Sequence, residues 1–176
     1  MSKGFWLFLG NFVRVLFLIL VGINLALSNS PLKKRAMRGV KIFGLGLIIS
    51  VVTYLFIPEQ YVRFGILHLI GTVVILLSPV PNRLHFILPL LVVSLAISFS
   101  PHLVSNNPFL FVLGLGSKVN TIDYFPIFPW ANFVILGMII GNLLKTQFNN
   151  LRGSVGGKIV SSIVFFGKRS LLIYMV

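Results

Sequence analysis

The stretch FWLFLGNFVRVLFLILVGINLALS, Phe5–Ser28, decides what kind of chain this is: over its whole length it carries one charge, Arg14. A helix needs roughly 17–25 mostly apolar residues to cross the hydrocarbon of a bilayer. The apolar region of a cleavable leader runs only about 7–15 residues. This run therefore reads as a membrane span, and more spans follow it. Val40–Ile57, Phe64–Val80, Leu84–Ser100 and Phe125–Leu144 are also apolar and long, with breaks at Pro31, Pro58, Pro81 and Pro101. Proline lacks the amide that a helix interior needs, so each falls where a helix should stop. A last apolar piece, 170–176, covers only one or two turns. The expected fold is an all-α integral membrane bundle of about five full transmembrane helices plus a partial sixth. Residues 1–176 are expected to form a single transmembrane domain.

Composition supports that reading. Hydrophobic residues make up 57% of the chain and charged residues 10%, with a mean hydropathy of +1.02. A soluble domain carries about a quarter charged residues, so a water-soluble fold is excluded. The net charge of +13 arises because fifteen Lys and Arg face only Glu59 and Asp123. In a soluble protein that imbalance points to nucleic acid. Here the basic residues lie between apolar runs, as topology signals do, and no nucleic-acid partner is expected. Cysteine is absent, which removes disulfide and thiolate chemistry.

Loop charge sets the orientation. With the N-terminus outside, the inner loops collect Lys33, Lys34, Arg35, Arg38, Lys41, Arg83, Lys145, Arg152, Lys158, Lys168 and Arg169. The outer side holds Lys3, Arg63 and Lys118. Positive residues favour the cytoplasmic side, so the N-terminus is expected outside and the partial last helix starts inside. Pro101–Tyr124 then lies on the outer face, where Phe109–Leu115 is apolar enough to dip back into the bundle. On the inner face, Ile159–Phe166 has the character of an interfacial helix.

Ionisable groups at membrane depth are expensive and mark candidate sites. The outer helix ends carry Glu59, Arg63, His68, His102, Asp123, Tyr124 and Trp130, including both acids of the protein. One reading is a polar pocket with Asp123, His68 and Arg63 as its core. The plainer reading is an interfacial Glu59–Arg63 pair at i,i+4, with His68 satisfying a neighbouring helix. Arg14 either snorkels or pairs internally, or binds an anionic group such as a cofactor phosphate. The glycine pairs Gly44/Gly46 and Gly114/Gly116 lack the strand–turn–helix context of a nucleotide loop. Gly137 and Gly141 have the small-residue spacing of close helix packing. The three histidines have no metal-ligand spacing, so no metal is expected.

Four segments appear in order at helix boundaries: Phe17–Ser28, Arg63-Phe-Gly-Ile-Leu-His68-Leu-Ile-Gly71, Asp123-Tyr-Phe-Pro-Ile-Phe-Pro-Trp130, and Gly167-Lys-Arg-Ser-Leu-Leu-Ile-Tyr174. Together they resemble the heparan-alpha-glucosaminide N-acetyltransferase-like membrane acyltransferases, in particular their prokaryotic members. The resemblance spans nearly the whole chain. It implies a multi-pass protein of a prokaryotic plasma membrane that moves an acyl group from acetyl-CoA or another acyl-CoA, inside, to an amino sugar or related glycan acceptor, outside. It also implies a homodimer. On this reading His68 and Asp123 are the catalytic candidates, with His68 orienting or relaying a proton. Arg63, Tyr124, Trp130 and Glu59 line the acceptor pocket, and Arg14, Lys33, Lys34, Arg35 and Arg38 meet the CoA phosphates. Topology alone also accounts for the basic cluster.

The family's opening helix, and the loop bearing its proposed catalytic histidine, would fall before Met1. None of His68, His85 and His102 matches that histidine. The family's last helix continues past the Ser-Leu-Leu-Ile-Tyr motif. The resemblance thus implies a chain truncated at both ends and leaves a second reading open: a non-catalytic membrane fragment or a component of a small-molecule transporter.

Overall fold

The computed structural model describes residues 2–99, 107–116 and 121–151. The expected partial sixth span, the interfacial helix at 159–166 and His102 lie outside them. The chain divides into two compact units, Met1–Asn142 and Leu143–Val176; the helix packing and the polar groups of the bundle belong to the first.

Among the described residues all regular structure is helical: α1 (Ser2–Leu27), α2 (Leu32–Phe56), α3 (Ile66–Leu77), α4 (Leu84–Ser98), α5 (Pro108–Leu113) and α6 (Ile127–Leu151). Three stretches, Gly4–Leu27, Leu32–Phe56 and Ile127–Lys145, are long and apolar enough to cross a membrane. Large apolar side chains point outward along α1 and α2, among them Phe8, Phe12, Leu47, Ile48 and Leu55. Such an exterior suits hydrocarbon as solvent, and the protein is an integral membrane protein.

Two expected spans are shorter as helices than the sequence suggested. At 1.5 Å per residue α3 is about 18 Å long and α4 about 22 Å, against roughly 30 Å of hydrocarbon. The stretch Phe64–Val80 loses its ends because Gly65 starts α3 in an extended conformation and Ser78 closes it. A second difference concerns α2, which begins at Leu32 rather than Val40. Lys33, Lys34, Arg35 and Arg38 therefore lie on its first two turns and not in a loop. Pro31 caps the helix with an extended backbone, and Lys, Arg, Ala and Met after it are good helix formers.

Glycine lets the helices close on one another. A Cβ on Gly22 of α1 would stand 2.0 Å from the Val134 carbonyl, and one on Gly137 of α6 would stand 2.1 Å from that of Ile19. The two backbones touch there, and Gly141 faces Ala26 one turn further along. The expected packing role of Gly137 and Gly141 is what the structure contains. On the other side, Gly71 of α3 meets the backbone of Phe43 in α2. The core between these contacts is apolar: Leu18, Leu69, Ile87, Val134 and Met138 are its most enclosed members. Polar groups interrupt it at a few points; at one, Ser94 of α4 donates to Asn132 of α6 and Asn132 donates to Ser98 at 2.9 Å.

Candidate functional site

Between α2 and α3 the chain runs non-helically through 61–65, with Val62, Phe64 and Gly65 buried. Non-helical backbone inside a membrane bundle must find partners within the protein. Here side chains supply most of them. Thr53 Oγ1 accepts from Val62 N–H at 3.1 Å, and Ser50 O–H donates to the Val62 carbonyl at 2.6 Å. Thr121 donates to the Tyr61 carbonyl at 2.8 Å and accepts from Arg63 N–H at 3.4 Å. The Phe64 carbonyl takes Phe125 N–H at 2.9 Å, pairing this segment in parallel with the stretch before α6.

His68 and Asp123 complete the set. Gly65 is the N-cap of α3, and the first amides of a helix lack intrahelical partners. His68 Nδ1 accepts from Gly65 N–H at 3.3 Å, and Asp123 Oδ2 accepts from Ile66 N–H at 3.3 Å. A carboxylate at a helix N-terminus is also favoured by the helix dipole. Because Nδ1 accepts from a backbone amide, the ring proton belongs on Nε2, which faces Ser50 Oγ at 3.4 Å. The imidazole is buried, edge-on to Phe43 at 5.2 Å and tilted against Phe64 at 5.6 Å. A side chain on Gly65 would strike Asp123 Oδ2, and one on Gly46 would press on the imidazole. Both ring nitrogens are therefore engaged, and the ring ties α2 to the start of α3.

His68, Asp123, Gly46 and Gly65 share the wall of one cavity of about 50 Å³. That holds a water or two but no sugar. Of the residues expected in a pocket, His68 and Asp123 come together at this cavity, and Arg63, Glu59, Tyr124 and Trp130 do not line it. Arg63 is exposed, with its guanidinium 5.1 Å from the ring centre of Tyr61. Glu59 is exposed on the turn after α2. Residues 59–63 are not helical, so the i,i+4 geometry of the expected pair does not exist there. Tyr124 stacks on Phe111 at 4.5 Å and donates to the Phe111 carbonyl at 2.6 Å. Burial pushes its phenol above the usual range, which keeps it a donor. This contact brings α5 back onto the start of α6, where Gly114 takes a φ of +88° with no room for a Cβ against the Phe128 carbonyl. Trp130 packs between Phe125 and Phe133.

Arg14 also departs from its expected group. It stands apart from the other CoA-directed cations: its guanidinium lies 5.4 Å from the ring centre of Phe125 and donates to Asn11 at 3.1 Å. Fourteen residues separate it from Ser28 at the other end of α1, about 21 Å along the axis. At that other end Arg35 donates to the Ser78 carbonyl at 2.8 Å, satisfying the last turn of α3. Arg38 donates to Ser30 Oγ at 3.3 Å, while Lys33 and Lys34 are exposed. Asn82 bridges this end, donating to the Ala26 carbonyl and accepting from Asn142 at 2.6 Å.

Sequence reading missed Ser50, Thr53, Thr121 and Gly46. A signal was there, since Gly46, Ser50 and Thr53 recur at i, i+4, i+7 in an otherwise apolar run, marking one helix face.

Fold and site together define a polytopic helical membrane protein, basic at one end of the bundle, with both acids and a buried histidine at the other. Residues 1–176 match the family described as heparan-alpha-glucosaminide N-acetyltransferase, catalytic. The chain belongs to that family of membrane acetyltransferases, whose members use acetyl-CoA as donor. No curated protein and no solved structure matches the chain.

Proposed function

We propose that the chain is the membrane-embedded part of an acyltransferase. It takes an acetyl or other acyl group from acyl-CoA at the basic end of the bundle. It passes the group to an amino sugar or related glycan acceptor at the end bearing Asp123 and His68. The observation that carries this reading is the separation of charge along a bundle of this family. Lys33, Lys34, Arg35, Arg38 and Lys41 gather at one end, and Glu59 and Asp123 lie at the other. Phosphates of CoA suit a cationic recess, and Lys34, Met37, Arg38 and Lys41 line one of about 290 Å³. By the positive-inside rule that end faces the cytoplasm, which sets the N-terminus outside. The short helices α3 and α4 complete five crossings, with the satisfied 61–65 segment carrying the chain through the remaining depth.

In the transfer the pantetheine arm of CoA, whose phosphates stay at the basic end, carries the thioester along the bundle to the acceptor, and the acceptor nitrogen attacks its carbonyl. The C–S bond breaks, an amide bond forms, the nitrogen gives up a proton, and CoA leaves as the thiol. His68, with both nitrogens engaged, acts as a positioning residue for the start of α3. Asp123 is the carboxylate that meets the acceptor. A non-catalytic role is favoured by one observation, the small volume of the His68–Asp123 cavity, and the same experiment separates the two. Purified chain in nanodiscs is given radiolabelled acetyl-CoA and glucosamine. Saturable binding of acetyl-CoA with labelled N-acetylglucosamine as product is the expected result, with KM for acetyl-CoA raised in Lys34→Gln and kcat lowered in Asp123→Asn. A chain that keeps its melting transition yet neither binds acetyl-CoA nor labels the amine sinks the proposal.

A further inference from the structure

A second cavity lies away from His68 and Asp123. It is a groove of about 330 Å³ between α1, α2 and α3, within the range of about 300–1,000 Å³ seen for small-molecule sites. Its walls are apolar, with Val21 from α1, Ile42 from α2, and Ile70 and Val74 from α3. Its polar end is cationic, formed by Arg35 and Arg38. Arg35 Nε is buried and has no hydrogen-bond partner among the described residues. Arg35 and Arg38 bring two positive charges to the groove end, and both acids of the chain lie at the other end of the bundle, so an oxyanion is favoured here. From Phe17 to Ser28 on α1 the lining runs about 16 Å along the helix, the shape of a slot for one extended chain.

We propose that this groove is a binding site for an anionic phospholipid, one acyl chain lying between α1, α2 and α3 and the phosphate held by Arg35 and Arg38. Charge complementarity selects this occupant. A helix of a second copy would fill the apolar slot but bring no acidic side chain to Arg35, since the chain has only Glu59 and Asp123 and both lie at the other end of the bundle. The adenine and ribose of a nucleotide would need polar or aromatic walls, and the lining is mostly aliphatic, with Asn24 and Phe17 the exceptions. The site does not rest on the acyltransferase reading.

Native mass spectrometry of the full chain, released from mixed micelles of phosphatidylglycerol and phosphatidylcholine, tests it. Phosphatidylglycerol should be retained at least severalfold over phosphatidylcholine. Arg38→Gln should abolish that preference, and Val21→Trp, which fills the slot, should remove the bound lipid altogether. The recess proposed for CoA shares Arg38 with the groove, so CoA is added to Lys34→Gln, which weakens the recess and leaves the groove lining unchanged, and there the adduct should stay in place. Equal retention of the two lipids overturns the site, as does wild-type retention in Arg38→Gln or Val21→Trp. Displacement by CoA in Lys34→Gln overturns it too, by assigning the groove to the acyl donor. Circular dichroism checks that each variant is folded. If Val21→Trp is not, Ile42→Trp fills the same slot from α2, with the same outcomes.

Discussion

The two ends of the bundle treat polar groups in opposite ways. At the end with both acids, Ser50, Thr53, His68, Thr121 and Asp123 turn inward and satisfy the backbone of 61–66. At the basic end, Lys33, Lys34 and Arg38 turn outward, while Arg35 and Asn82 reach back to helix termini. The inward network fixes geometry, because a non-helical strand in hydrocarbon has no water to fall back on. The outward cations leave a groove and a recess open. An end whose cations stay open and an end whose polar groups are turned onto the backbone are thereby separated along the helices, and substitutions should separate them too.

The sharpest test of the inward end is His68→Ala. It removes a buried ring packed on Phe43 and Phe64 and leaves Gly65 N–H without an acceptor. A cavity and an unsatisfied donor together should destabilise by about 3 kcal/mol or more, read as a lowered melting transition in detergent. Stability unchanged from wild type would mean that the network holds nothing in place. Ser50→Ala should follow at about 1–2 kcal/mol, since the Val62 carbonyl loses its 2.6 Å donor.

Asp123→Asn separates structure from chemistry. An amide oxygen can still accept from Ile66 N–H, so stability should fall by only about 1 kcal/mol or less, mostly through the helix dipole. If Asp123 meets the acceptor, transfer should fall far more than that loss of stability accounts for. Equal small losses in both would reduce it to a cap.

The helical membrane character was legible because hydrophobicity over some twenty residues is a property of sequence alone, as Phe5–Ser28 illustrates. The packing glycines Gly137 and Gly141 were legible for a similar reason, since helical spacing carries the information. The pocket was not. Whether Arg63 and His68 share a cavity depends on backbone direction, and five residues apart in a helix differ from five residues across an extended segment. Sequence marked 64–80 as one apolar run, but Gly65 and Asp123, distant in the chain, fix where the helix begins. Arg14 shows the same limit: its charge left snorkelling, an internal pair and a phosphate all open, and its contact is the Phe125 ring more than a hundred residues away.

Arg63 offers the smallest effect and a check on the contrast within a single end. It sits one residue from the buried Val62 and Phe64, yet its guanidinium leaves the network and lies on Tyr61 at the surface. Arg63→Gln removes a cation–π contact worth about 0.5–1 kcal/mol at an exposed site, while its backbone amide keeps its bond to Thr121. The melting transition should therefore move less than for Ser50→Ala, although the residue removed is larger and charged. A loss as large as that of His68→Ala would show that outward groups also hold this end together, and the division between the two ends would fail. If stability hardly changes but acyl transfer drops, Arg63 acts on the acceptor or on developing charge from the rim, not from within a pocket.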